Sequence, residues 1–108
     1  MDEITPSELK KRLDNGDDIQ IVDVRENNEV AISRLPNSLH IPLAQVLVRM
    51  NEIDPTRETV VHCKMGGRSA RAIDALQRSG FTGKLMNLKG GIIGWSNDVD
   101  PAVPKLLT

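Results

Sequence analysis

The chain has 108 residues, with 14 Lys and Arg against 15 Asp and Glu, a formal net charge of −1, and a single cysteine. That length fits one domain built on one core, and one cysteine excludes an intrachain disulfide framework. The balanced charge, with Phe81 and Trp95 as the only aromatics, excludes a basic or base-stacking nucleic-acid platform.

Met1 to Pro6 carries neither a basic nor an apolar targeting segment, and no apolar run approaches the roughly 20 residues of a bilayer span. The expectation is a cytoplasmic protein with residues 1–108 as a single domain, free of membrane and nucleic acid. Thr5-Pro6-Ser7-Glu8 reads as a helix start with a capping box, Leu9 and Leu13 share a face, and Gly16 is a stop. Ile19 to Val24 is short, β-branched and apolar, as a buried strand should be. Glu26 to Ile32 reads as a short helix, and Ser38 to Ile41 as a second strand closed by Pro42.

Leu43, Val46, Leu47 and Met50 have the spacing of an amphipathic helix, followed by a polar loop over Asn51 to Glu58. Thr59 to His62 is a third strand. It runs into Cys63-Lys64-Met65-Gly66-Gly67-Arg68, after which Ser69 opens a helix with Ala72, Ile73 and Leu76 on one face. Gly80 ends that helix, Lys84 to Leu88 is a last strand, and Gly90-Gly91 leads into a helix containing Trp95. Residues 98–108 read as an extended C-terminal tail. Doubly apolar strands alternating with helices predict an α/β fold, a doubly wound and mainly parallel sheet with helices on both faces.

In such sheets ligands bind beyond the carboxyl ends of the strands, and Cys63 lies at such an end. Gly66 and Gly67 allow a tight loop whose N–H groups turn inward as an anion-binding nest, reinforced by the following helix. Lys64 and Arg68 add positive charge, and together these features favour the nucleophilic thiolate of Cys63. An inert buried cysteine followed by an ordinary Gly-Gly turn is the bland alternative. His62 precedes Cys63 on a strand, so it faces the opposite side and reads as a satisfied structural histidine. His40 and Trp95 also read as structural. Two histidines and one cysteine without ligand spacing imply no metal and no cofactor.

These segments resemble the rhodanese-like sulfurtransferases. Ile21-Val22-Asp23-Val24-Arg25 with Glu29 is similar to the family's signature strand, and Leu35 to Pro42 to its second motif. Val61 to Ser69 resembles the active-site loop, and Gly90-Gly91-Ile92-Ile93-Gly94-Trp95 the C-terminal Gly-Gly…Trp element. Ser33-Arg34-Leu35-Pro36-Asn37-Ser38 departs from the usual Gly-His-Ile-Pro-Gly-Ala, which would place Arg34 on a more basic rim.

The resemblance implies a persulfide on Cys63, cradled by Lys64, Met65, Gly66, Gly67, Arg68 and Ser69, with Asp23 and Arg25 supporting the loop. Its donor would be thiosulfate or a cysteine-desulfurase persulfide, and the absence of a second cysteine requires an external acceptor. Gly94 to Pro101 resembles the C-terminal rhodanese domain of adenylating enzymes, which implies a ubiquitin-like sulfur carrier as that acceptor. On this reading Arg25, Arg34, Lys64, Arg68 and Arg71 cluster around one site. Three alternatives stand beside it: a cysteine-dependent phosphatase or arsenate reductase, a non-catalytic interaction module of the same fold, and a redox sensor. The phosphatase loop has five residues between Cys and Arg, where this chain has four.

Overall fold

The structure, a computed structural model, describes residues 1–104. Strands β1 (Glu3–Ile4), β2 (Ile19–Asp23), β3 (Leu39–His40), β4 (Glu58–His62) and β5 (Leu85–Leu88) form one sheet. Their order is β1-β5-β4-β2-β3, and every neighbouring pair is parallel. The connecting helices are α1 (Pro6–Asp14), α2 (Asn27–Val30), α3 (Gly67–Arg78) and α4 (Gly91–Asp98).

Side chains alternate across β2 and β4, so each strand feeds two cores. On one face Val22, Val24, Val61 and Cys63 pack with Ala72, Ile73 and Leu76 of α3. On the other, Ile21, Val60 and Leu88 pack with Leu9 of α1 and with Ile92 and Trp95 of α4. Both faces are therefore covered, as the uninterrupted apolar strands require. Burying any one of the valine, leucine or isoleucine side chains contributes about 1.5–3 kcal/mol. The fold is the α/β, mainly parallel, doubly wound one that the sequence predicts.

The capping box at α1 forms in full: Glu8 N–H donates to Thr5 Oγ1 at 3.1 Å, and Thr5 N–H donates to Glu8 Oε1 at 2.9 Å. Strand β1 was not expected. Two residues carry no period, and Glu3–Ile4 becomes a strand only by pairing with Asn87 and Leu88.

Three expectations need correction. Leu43 to Met50 is not an amphipathic helix; it makes two single 3₁₀ turns, Leu43–Gln45 and Met50–Glu52. Their bonds are mostly of the tighter kind, Gln45 N to Pro42 O at 2.8 Å and Val46 N to Leu43 O at 3.2 Å. An eight-residue segment with two valines has little helical stability of its own. Burial of Val46 and Ile53 decides its path instead, which leaves Val48 85% exposed. Helix α3 begins at Gly67 and not at Ser69, because Gly66 caps it with φ 119°. Finally, the segment after Asp98 is not extended over its described part. Val103 N–H donates to Asp100 O at 3.0 Å, Ser96 Oγ donates to Val103 O at 2.7 Å, and Val103 packs on the α1–α4 core. The remainder of the expected tail, 105–108, lies outside the described residues.

Candidate active site

Cys63 follows β4 at the carboxyl edge of the sheet, and its side chain is 1% exposed. The turn after it reverses through Gly66, whose left-handed backbone a residue with a Cβ adopts only under strain. That reversal aims the Gly66 N–H at the sulfur, with N to Sγ 3.0 Å. Ser69, in the first turn of α3, brings its hydroxyl to 3.4 Å from the same atom. Burial alone pushes the Cys63 thiol up. The Ser69 hydroxyl and the N–H groups of Ser69, Gly66 and Met65 outweigh it, and the thiol is held below its ordinary range.

Asn87, on β5 between β1 and β4, was not singled out in the sequence. Its Nδ2 donates to Gly66 O at 3.1 Å, while its Oδ1, 2.6 Å from Ser69 Oγ, competes with the sulfur for the single hydroxyl proton. One buried amide thus holds the two groups that approach the sulfur. Nothing local marks it, because the partners lie 21 and 18 residues away.

The loop also rests on the start of α4. Cys63 O accepts from Ile92 N at 3.0 Å, and Lys64 O accepts from Ile93 N at 3.2 Å. Gly91 sits so close beneath them that a Cβ there would fall 2.4 Å from Lys64 O. The Gly-Gly pair therefore serves contact with the cysteine loop as well as the helix turn.

Arg68 turns both terminal nitrogens to Glu29 and neither to the sulfur. Its Nη1 and Nη2 donate to the two oxygens of Glu29 at 2.6 and 2.9 Å, linking α3 to α2. The Arg68 guanidinium holds the Glu29 carboxyl down at about 2. Glu29 Oε1 also accepts from Glu26 N–H at 3.0 Å, a capping box for α2.

Asp23 and Arg25 form a buried pair beside this loop. Arg25 donates from Nε to Asp23 Oδ1 at 3.0 Å and from Nη2 to Oδ2 at 2.7 Å, and Nη2 also donates to Ser33 O at 2.7 Å. Their link to the Cys63 loop is indirect: they fix the segment that carries Glu29. His62 faces away from Cys63, as expected, and donates from Nδ1 to Cys63 O at 3.1 Å. It is not fully satisfied. Burial pushes its pKa down, so its Nε2 stays bare 3.5 Å from Asp23 Oδ2, without a hydrogen-bond partner. His40 Nε2 contacts Arg25 O at 2.6 Å, and Trp95 is a core residue.

A hollow of about 530 Å³ opens above the cysteine, lined by Cys63, Lys64, Met65, Gly67, Arg68 and Arg71. Arg25 lines a separate hollow that shares Lys64 with it. Arg34 lines neither. Its guanidinium donates to Ser38 O and closes its own turn, so the expected basic rim excludes it. Among the described residues no cluster of His, Cys, Asp and Glu could hold a metal ion, and no helix is long and apolar enough to cross a membrane.

Comparison with known proteins gives one consistent result. The sequence profile of the Rhodanese-like domain matches residues 5–98. A sulfurtransferase of Allochromatium vinosum is 36% identical over 103 residues, covering 95% of each chain. The probable adenylyltransferase/sulfurtransferase MoeZ of Mycobacterium tuberculosis is 34% identical over 102 residues, 91% of this chain but 25% of that one. Among solved structures, a rhodanese-like domain protein from Staphylococcus aureus superposes with a TM-score of 0.83 at 31% identity, over 92% of this chain and 95% of that chain.

Proposed function

This chain belongs to the rhodanese-like family, whose sulfurtransferase-named relatives it matches over nearly its full length, and from that premise we propose that it transfers sulfane sulfur through a persulfide on Cys63. The observation that carries the reading is the Cys63 sulfur held at the mouth of an N–H-lined loop, 3.0 Å from the Gly66 N–H. The thiolate attacks the outer sulfur of thiosulfate or of a cysteine-desulfurase persulfide. A bond forms from Sγ to that sulfur, the donor's S–S bond breaks, and sulfite or a thiolate leaves with the electron pair. The negative charge of the new persulfide lies on its outer sulfur, where Lys64, Met65, Gly66, Gly67, Arg68 and Ser69 frame it. A nucleophilic acceptor then attacks the outer sulfur, the Sγ–S bond breaks, and the thiolate returns. Two half-reactions through one covalent intermediate give ping-pong kinetics.

With one cysteine in the chain, the acceptor comes from outside. The likeness to part of an adenylyltransferase/sulfurtransferase favours a ubiquitin-like sulfur carrier as the recipient. The persulfide's outer sulfur then attacks the carrier's adenylated C-terminal carboxyl, and AMP leaves. Two external thiols, oxidised to a disulfide, break the Sγ–S bond to release the thiocarboxylate and restore the Cys63 thiol. A lone reactive thiol suits a reducing cytoplasm. Phosphoryl chemistry is disfavoured. The loop has four residues between Cys63 and Arg68, and both terminal nitrogens of Arg68 are committed to Glu29.

Intact-mass spectrometry tests the reading. Thiosulfate or a protein persulfide should add one sulfur atom, removable by dithiothreitol and absent from Cys63→Ser. An unchanged mass with every donor, or turnover of an aryl phosphate in its place, would overturn it.

A further inference from the structure

Three cations line the hollow above Cys63, and the structure treats them differently. Arg68 is neutralised in place by a two-pronged contact with Glu29. Lys64 is half-buried and Arg71 exposed, one turn further along α3. Among the described residues neither makes an ion pair. The lining of the hollow therefore includes two positive charges without an ion-pair partner among the described residues, in a space large enough for a small oxyanion. The cysteine itself is covered, and this hollow is the one it lines. Cations without counter-ions beside a reactive group raise the local concentration of anions.

We propose that Lys64 and Arg71, and not Arg68, form the clamp that selects small anionic reagents for Cys63. Arg71 is then a specificity-determining residue outside the cysteine loop, and Arg68 is a strut joining α3 to α2. The proposal rests on Cys63 being the nucleophile, but its test needs no sulfur transfer.

Iodoacetate and iodoacetamide both react with the Cys63 thiolate, forming an S–C bond and releasing iodide, and only the first is an anion. The ratio of their rates cancels any change in thiolate fraction. Arg71→Gln should lower the iodoacetate-to-iodoacetamide ratio roughly threefold, and the double variant Lys64→Gln with Arg71→Gln roughly tenfold, on the scale of exposed charge pairs. The wild-type ratio should also fall with added salt. Lys84→Gln removes the same charge at the opposite end of the sheet and should leave the ratio alone. An unchanged ratio in the double variant, or an equal fall in Lys84→Gln, overturns the clamp. With thiosulfate, Arg71→Gln should raise KM and spare kcat. A protein that never loads sulfur would sink the sulfurtransferase reading, while the alkylation ratio would still judge the clamp.

Discussion

At the amino end of the sheet Arg57 pairs with Asp18, and the two side chains remain 36% and 75% exposed. At the carboxyl end Arg25 pairs with Asp23 at 4% and 0%, and Arg68 with Glu29 at 27% and 17%. The residue types are the same at both ends. Each pair also carries a bond to backbone: Arg57 donates to Ile19 O at 3.4 Å, Arg25 to Ser33 O at 2.7 Å, and Glu29 accepts from the Glu26 N–H at 3.0 Å. The difference therefore lies in burial and in the shorter bonds at the carboxyl end. At the amino end water competes for both partners and weakens what the pair contributes. Burial turns an ion pair from a solvated ornament of the surface into a brace for the segments around Cys63.

The sharpest way to break that comparison is Asp23→Asn. It leaves Arg25 charged, buried and without its counter-ion, and should cost about 3–5 kcal/mol in urea unfolding. A loss no larger than that of a surface pair would place both ends of the sheet on the same footing.

Glu29→Gln is expected to have the intermediate effect. The Glu29 carboxyl is depressed from 4.5 to about 2 in the folded protein. Its contribution is therefore present above the unfolded value and is lost as pH falls through the folded one. Allowing for solvent screening, the variant should lose about 1–2 kcal/mol at neutral pH. Its stability should also decline less than wild type between pH 4.5 and about 2. Parallel acid unfolding curves would show that the α2–α3 strut contributes nothing. The smallest effect belongs to Arg57→Ala at the exposed end, below about 1 kcal/mol in the same urea assay.

Sequence patterning reached the elements whose information is local. The Thr5–Glu8 box, the apolar run of β2 and the Gly66–Gly67 turn each declare themselves within a few residues. The Leu43–Met50 helix failed because spacing alone does not count how much apolar surface the fold has room for. Val46 was buried and Val48 was not. The cysteine was legible as a candidate nucleophile, yet the state of its neighbours was not. Arg68 read as a free cation because Glu29 lies 39 residues away, and Asn87 went unnoticed for the same reason. Arg34 was placed on the rim from its position in a motif, whereas its guanidinium turns back to Ser38 O.

The seat of Gly91 beneath the Lys64 carbonyl has a consequence for the order of events during synthesis. The residues that back the cysteine loop come nearly thirty positions after it, so a ribosome releases the thiol well before its support. Until Ile92 and Ile93 emerge, the carbonyls of Cys63 and Lys64 lack their amide donors from α4. A nascent chain halted short of that point displays the cysteine on an unbraced loop. The backing of the cysteine loop is thus among the last contacts this domain acquires, and it depends on a glycine that lets α4 come close enough to make it.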